Sequence, residues 1–381
     1  MDFGRVPVSG LFRSEPEAPI ISAPLAFELC TSCGLVRQDG LQPPRDYSEI
    51  GRSTAGQFPA YGDDLVERLR ELGVAPNELV LEIGSNDGSF LQRLRRGGFR
   101  RLVGIEPSSS LAERAVARRL QVINDYFNVE TAAQLTAEYG HARVTICRHV
   151  LEHVADPRSF LTAVRSCLHP QSGLALVELP DAIAIPELMI VQDFWDEHLH
   201  YFSAANLARL ANRAGMDMLE VEVKPHLYTR NLVMWCSMPA DANRTTCDRA
   251  VDRANVELWR GFKSTWEGYR TRLAEELTAA PRPIYAIGAS HPQCCFINYC
   301  RIGTFIDYCI DDDRAKIGRF PPVAGGCPSI ISTLQFELSA SEGTVLETGF
   351  GYPRWTERIR SRAVSQGMRL VNPRDFIEPL P

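Results

Sequence analysis

The chain has 381 residues, 45% hydrophobic and 23% charged, with a formal net charge of −6. This is two to three domains of an ordinary globular protein, and its negative balance argues against duplex nucleic acid, whose phosphates call for a basic surface. No run nears the ~18–20 apolar residues that cross a bilayer, and Met1-Asp2-Phe3-Gly4-Arg5 lacks the order of a secretion signal. A cytoplasmic protein acting on a small molecule, with neither membrane nor nucleic acid as partner, is therefore expected, its eleven cysteines being free thiols or metal ligands.

Residues 1–60 are rich in proline, glycine and serine and read as a small module with little core. From Tyr61 to about residue 240, apolar runs of strand length alternate with amphipathic stretches, the pattern of a βαβ sheet. Strands are expected at Leu79–Ile83, Leu102–Ile105, Val122–Ile123, Val144–Cys147 and Leu174–Glu178, with helices over Leu91–Arg96, Leu111–Arg119 and Pro157–Leu168. Strands alternating with helices imply a parallel sheet with right-handed crossovers. Residues 241–381 open with charges and spaced aromatics (Trp259, Phe262, Trp266, Tyr269), read as one long helix over 240–281 that Pro281-Arg-Pro283 breaks. A second α/β unit follows, with strands at Ile284–Ile287, Phe305–Ile310 and Thr344–Glu347.

The run Leu79-Val-Leu-Glu82-Ile-Gly84-Ser-Asn86-Asp87-Gly88 is a buried strand entering a glycine turn. Gly84 and Gly88 can adopt dihedrals closed to other residues and carry no Cβ, so the methionine part and ribose of a nucleoside can pack on main chain. A dinucleotide fold would want three clustered glycines; here Asn86 and Asp87 stand between two, and a carboxylate in the turn disfavours phosphate. Gly104-Ile-Glu106-Pro107 then sets an acid at the tip of the second strand, where ribose hydroxyls are held. Asp125, Tyr126 and Phe127 follow the third strand, placed to grip adenine, and Arg148, His149 and His153 follow the fourth, lining the other side. Together these strand-end signals predict S-adenosylmethionine (SAM) as cofactor and S-adenosylhomocysteine (SAH) as product.

Glu82-Ile-Gly-Ser-Asn-Asp-Gly88, His153-Val154, Glu178-Leu-Pro180 and Trp195-Asp-Glu-His-Leu-His-Tyr-Phe-Ser203 resemble the deoxysugar C-methyltransferases, and the resemblance runs nearly the whole length. It implies an α/β chain of three parts: a zinc-binding N-terminal module, a class I Rossmann-like SAM domain, and a C-terminal Rossmann-like domain helping to hold a nucleotide-linked sugar. Tyr285-Ala-Ile-Gly-Ala-Ser290 and Ile310-Asp-Asp-Asp-Arg-Ala-Lys-Ile-Gly-Arg319 match the third part. Such enzymes methylate a carbon beside a ketone, so a base must remove an α-proton and the enolate must be stabilised. The family implicates a tyrosine, a glutamate and a histidine, the histidine as base. Glu197 and His198 match, whereas Trp195 stands at the tyrosine. Indole cannot exchange a proton as a phenol does, and His200 or Tyr201 is expected to compensate.

Two further departures point to a reshaped acceptor pocket for a natural-product intermediate. The family's Gly-Gly-Ser segment reads Tyr228-Thr-Arg230-Asn231, and its second glycine turn reads Gly288-Ala-Ser290-His291-Pro-Gln293, bulkier where a diphosphate would lie. Cys294 and Cys295 are expected in the core. Of the family's two Cys-x-x-Cys pairs only Cys30-Thr-Ser-Cys33 has a match, and Met1–Pro7 corresponds to the segment after the first pair. Two thiolates do not complete a four-coordinate shell, so loss of zinc or truncation is expected over a site repaired elsewhere. Rival expectations are N- or O-methylation of a small molecule without a nucleotide, and a SAM-binding scaffold without catalysis.

Overall fold

A computed structural model describes residues 1–8, 10–39, 61–239 and 253–377. The expected module junctions near residues 60 and 240, and the start of the long helix, lie outside the described residues. The N-terminal strands β1 (Asp2–Pro7), β2 (Ser22–Leu29) and β3 (Val36–Gln38) pair antiparallel. Phe3, Val6, Leu25, Phe27 and Val36 are all buried in one cluster.

The central region runs α1 (Gly62–Glu71), β4 (Leu79–Ile83), α2 (Ser89–Arg96), β5 (Arg101–Ile105), α3 (Ser109–Ala117), β6 (Gln121–Ile123), α4 (Val129–Tyr139) and β7 (Val144–Arg148). It continues through α5 (Pro157–Cys167), β8 (Leu174–Pro180), α6 (Ala184–Leu188), β9 (His200–Tyr201), α7 (Ala204–Arg213), β10 (Asp217–His226) and β11 (Thr229–Ser237). Seven of these strands form a sheet in the order β10-β11-β8-β7-β4-β5-β6, parallel except for β11. Every residue of β4 is buried, as expected of a parallel strand covered on both faces. The chain leaves β4 toward β5 and β6, then crosses back to β7. The strand order therefore reverses between β4 and β7, and at the carboxyl ends of those strands this topology places ligands.

The C-terminal part begins with α8 (Arg253–Thr278), which buries Trp259, Phe262, Trp266, Tyr269, Leu273 and Leu277 along one stripe. After it come β12 (Ile284–Ile287), α9 (His291–Cys300), β13 (Tyr308–Ile310), β14 (Ser329–Ile331), α10 (Thr333–Ser339), β15 (Thr344–Leu346), α11 (Pro353–Ser365) and β16 (Arg369–Val371). Their parallel sheet has the order β14-β13-β12-β15-β16. The strand expected from Phe305 starts only at Tyr308, because Gly303–Phe305 forms a 3₁₀ turn. Cys294 and Cys295 are in the core as expected.

The N-terminal segment is not poor in core, contrary to its composition. Its buried side chains join Phe194, Tyr201, Trp259, Phe262 and Tyr299 in one cluster that continues into the C-terminal sheet. Its sheet order is β1-β2-β3-β9, so it also grips the Trp195–Ser203 loop: β9 pairs with β3, Tyr201 opposite Val36. No helix among the described residues is long and apolar enough to cross a membrane.

Candidate active site

β4 ends in backbone that side chains would obstruct. Gly84 has φ +69°, and a Cβ on it would lie 2.4 Å from Val150 Cγ2; Gly88, at φ +75°, caps α2. The Gly84 and Ser85 N–H groups both donate to the Ile105 carbonyl, at 2.9 and 3.1 Å, which folds the turn over the end of β5. Asn86, itself at φ +51°, donates its N–H to Glu106 Oε2 at 2.8 Å, and the Ser108 N–H donates to Oε1 at 2.9 Å. Each Glu106 oxygen keeps acceptor capacity for a ligand hydroxyl. Burial raises the Glu106 pKa, and those two N–H groups work against it. Glu82 is 3% exposed, and its Oε2 has no hydrogen-bond partner among the described residues. Burial lifts its pKa to about 8 against the pull of Arg148.

The rest of the expected cofactor contour divides. Pro107 accepts through its carbonyl from Asn124 Nδ2 at 3.0 Å. Asp125 and Tyr126 are exposed past β6, but Phe127 turns inward against Phe160, ring centroids 5.4 Å apart. Asp87 is buried and paired with Arg118 at 3.1 Å, so the carboxylate expected to repel phosphate is offset by a cation.

The ends of β7 and β8 carry a buried polar network. Arg148 donates through Nε to Glu178 Oε2, and its guanidinium lies 4.3 Å over the Phe90 ring. Glu178 also accepts from the Tyr61 hydroxyl at 2.7 Å and from Asn231 Nδ2 at 3.0 Å. Burial alone would raise its pKa, but Arg148 and His149 hold it far below the usual carboxylate range. His149 follows at φ +52°, with Nε2 3.4 Å from Glu178 Oε1 and Nδ1 3.5 Å from Glu152 Oε1. Burial opposes its charge, yet those two carboxylates prevail and raise its pKa to about 9.

The Trp195–Ser203 loop closes over this network. His198 is 7% exposed, with its ring 4.7 Å from that of His153 and 4.9 Å from that of Trp195. Burial, reinforced by the neighbouring histidines His153, His149 and His291, pushes its pKa well below the ordinary value and keeps it neutral. His153 donates from Nδ1 to the Glu197 carbonyl at 2.8 Å, and burial lowers its pKa too. The carboxylate gathered with these two histidines is Glu152, not the expected Glu197: the ligating atoms of Glu152, His153 and His198 lie within 4.8 Å of one another. Glu197 enters the cluster by its carbonyl. Both Glu152 oxygens are buried without a hydrogen-bond partner among the described residues. Glu152 stands between His149 and His153, both expected at the site, and that spacing is the signal that marks it.

Both expected substitutes for the family tyrosine make contacts within the protein. The Tyr201 hydroxyl accepts the Trp195 N–H at 2.7 Å and donates to the Trp195 carbonyl at 3.3 Å, while burial raises its pKa well above the ordinary value. It ties the loop together. His200 stacks on Phe202 at 5.9 Å, on a strand whose successive side chains point to opposite faces. Trp195 stacks on His291 at 4.1 Å, and its buried Nε1 has no partner among the described residues.

The expected acceptor residues are largely engaged with protein. Tyr228 donates to Asp193 Oδ1 at 2.8 Å, and Arg230 donates to Glu187 Oε2 at 2.7 Å and pairs with Asp181 at 3.0 Å, which offsets its charge. Asn231 is fully buried between Tyr61, Glu178 and His149, with Oδ1 unpartnered among the described residues. Ser290 donates to Gln293 Oε1, and Gln293 donates to the Thr348 carbonyl at 3.0 Å. A Cβ on Gly288 would meet Gln293 Cγ at 2.8 Å, so this side chain fills the turn after β12. Cys30 and Cys33 sit together at the β2–β3 turn, where Asn206 and Arg209 both donate to the Cys33 carbonyl. No third metal-ligating side chain groups with them among the described residues.

Comparison with known proteins agrees with this layout. Residues 56–221 match a family model described as a methyltransferase domain, and residues 242–331 match one described as a C-methyltransferase C-terminal domain. The chain is 26% identical over 340 residues to the C-methyltransferase NovU of Streptomyces niveus, spanning 84% of this chain and 80% of that one. Among solved structures, the CcbJ methyltransferase from Streptomyces caelestis is 14% identical, covering 52% of this chain and all of that one, with a TM-score of 0.40. The magnesium protoporphyrin IX methyltransferase from Synechocystis PCC 6803 with bound SAM is 14% identical, covering 47% and 78%, with a TM-score of 0.37. Both modules occur in this order and a C-methyltransferase aligns across them: the chain is a SAM-dependent methyltransferase similar to the C-methyltransferases.

Proposed function

We propose that this enzyme methylates the carbon beside the ketone of a nucleotide-linked keto-deoxysugar, with His198 as general base. SAM supplies the methyl group as an electrophilic sulfonium substituent. The orphaned Glu82 oxygen suits the ammonium of its methionine part, the bare Gly84–Gly88 backbone its ribose, Glu106 the ribose hydroxyls, and Asp125 and Tyr126 the adenine.

The observation that carries this reading is the neutral, buried His198 beside Glu152, linked to the glycine turn through His149 and Val150. A neutral imidazole can take an α-proton, and a positioned base contributes typically ~10²- to 10⁴-fold to rate. His198→Ala should lower turnover by about 10²-fold or more, with SAH affinity measured by calorimetry unchanged. Turnover equal to the wild type would retire the base.

A second reading, methylation of an acceptor without a nucleotide, is favoured by Gln293 filling the turn where a diphosphate would be cradled. Thermal shift with thymidine diphosphate separates the two: stabilisation beyond that of SAH alone supports the nucleotide sugar, and no added shift supports the alternative.

A further inference from the structure

We propose that His149 is the cationic group that faces the acceptor's carbonyl oxygen and stabilises the negative charge formed there, with Glu152 as the carboxylate that positions it relative to His198. This rests on the C-methylation reading above. Removing an α-proton leaves an enolate, and a group must meet that charge. Trp195 offers only a neutral N–H, Tyr201 is committed to loop backbone, and Arg230 is offset by two acids.

His149 has the geometry the role demands. It stands at the carboxyl end of β7, next to Val150, which packs against Gly84 in the glycine turn. Its left-handed φ of +52° is costly for a residue other than glycine, and such strain clusters at functional sites. That backbone sets the ring between two carboxylates, while 37% of the side chain stays open against 8% for Arg148. Its contacts of 3.4 and 3.5 Å to the two carboxylates are longer than ordinary N–H···O hydrogen bonds, and Nε2 also lies 3.3 Å from Asn231 Nδ2.

The groups facing His149 come from every neighbouring element: Arg148 on β7, Glu152 in the turn Leu151–His153, Glu178 on β8, His226 on β10 at 6.1 Å, and Asn231 on β11 with the Tyr61 phenol behind it. Across Glu152 lie His153 and His198. The two ends of this chain of groups thus differ in charge: a neutral base and a fixed cation share one carboxylate. In the reaction His198 takes the α-proton, and the C–H electron pair becomes the enolate with its charge on the carbonyl oxygen beside His149. The enolate carbon then takes the methyl group, the carbon–sulfur pair stays on sulfur, and His198 passes its proton to water.

The test uses the full chain and the variants His149→Gln, His149→Lys and Glu152→Gln. Histidine ring carbons labelled with ¹³C should show His149, identified by its loss in His149→Gln, titrating near pH 9, and at lower pH in Glu152→Gln. With SAH bound in D₂O and thymidine-diphosphate 4-keto-6-deoxyglucose as probe, His149→Gln should slow α-proton exchange by about 10²-fold and abolish the alkaline fall in rate. SAH affinity should hold, His149→Lys should restore part of the rate, and Glu152→Gln should move the pH profile. Wild-type exchange that His149→Gln leaves within about threefold, less than one 1.4 kcal/mol step, overturns the inference alone, as does His149 titrating at an ordinary histidine value. No exchange in the wild type sinks the keto-sugar reading and this inference with it.

Discussion

Replacing Arg148 with methionine tests whether the buried network holds the site together. The side chains of Arg148 and Glu178 are 8% and 0% exposed, so neither charge has water to fall back on. Glu82 also leans on this guanidinium, but with a pKa of about 8 it can stay protonated, so the burden falls on Glu178. Removing one partner of a buried ion pair costs about 3–5 kcal/mol, because the other charge is stranded. At about 2–4 °C per kcal/mol for a domain of this size, the melting temperature should drop by about 6–20 °C. Differential scanning fluorimetry at pH 7 measures it, and the double variant Arg148→Met/Glu178→Gln should recover part of the loss, since no unpaired charge remains. A single variant melting within about 2 °C of the wild type would refute the reasoning, since that is under one kcal/mol.

Gly84→Ala should destabilise the protein by about 1–2 kcal/mol from left-handed strain alone, and its Cβ meets Val150 at 2.4 Å. Calorimetry should also find SAH binding weakened by about tenfold or more, equivalent to 1.4 kcal/mol; unchanged affinity would count against the turn as cofactor cradle. Melting temperature should fall as pH rises from 6.5 to 9. Glu82 is raised to about 8 on folding, so its contribution is lost as pH climbs toward that value, and His149, raised to about 9, loses its contribution between 6.5 and 9. His149→Gln should flatten the upper part of the curve, and a melting temperature that rises across the window would contradict the assignment.

The glycine turn, the acid at Glu106 and the parallel strands were legible because each obeys a local rule. Gly84 and Gly88 do adopt positive φ, and β4, with neighbours on both sides, is buried throughout. β14 and β16, three residues each, are too short for any periodicity to announce them. The N-terminal module looked poor in core because its partners Phe194, Trp259 and Tyr299 lie far along the chain.

Sequence by itself determined the fold class, the order of the methyltransferase and C-terminal parts and the glycine turn after β4, and it offered His198 as a candidate base, since these depend on residue type and short spacing. Tertiary structure alone decided which carboxylate stands by that base, that Tyr201 binds loop backbone, and that Phe127 and Gln293 point into protein. The reason is that a side chain's charge and direction are set by what surrounds it in space. Glu197 adjoins His198 along the chain, yet Glu152, delivered by a turn after a different strand, shares its pocket.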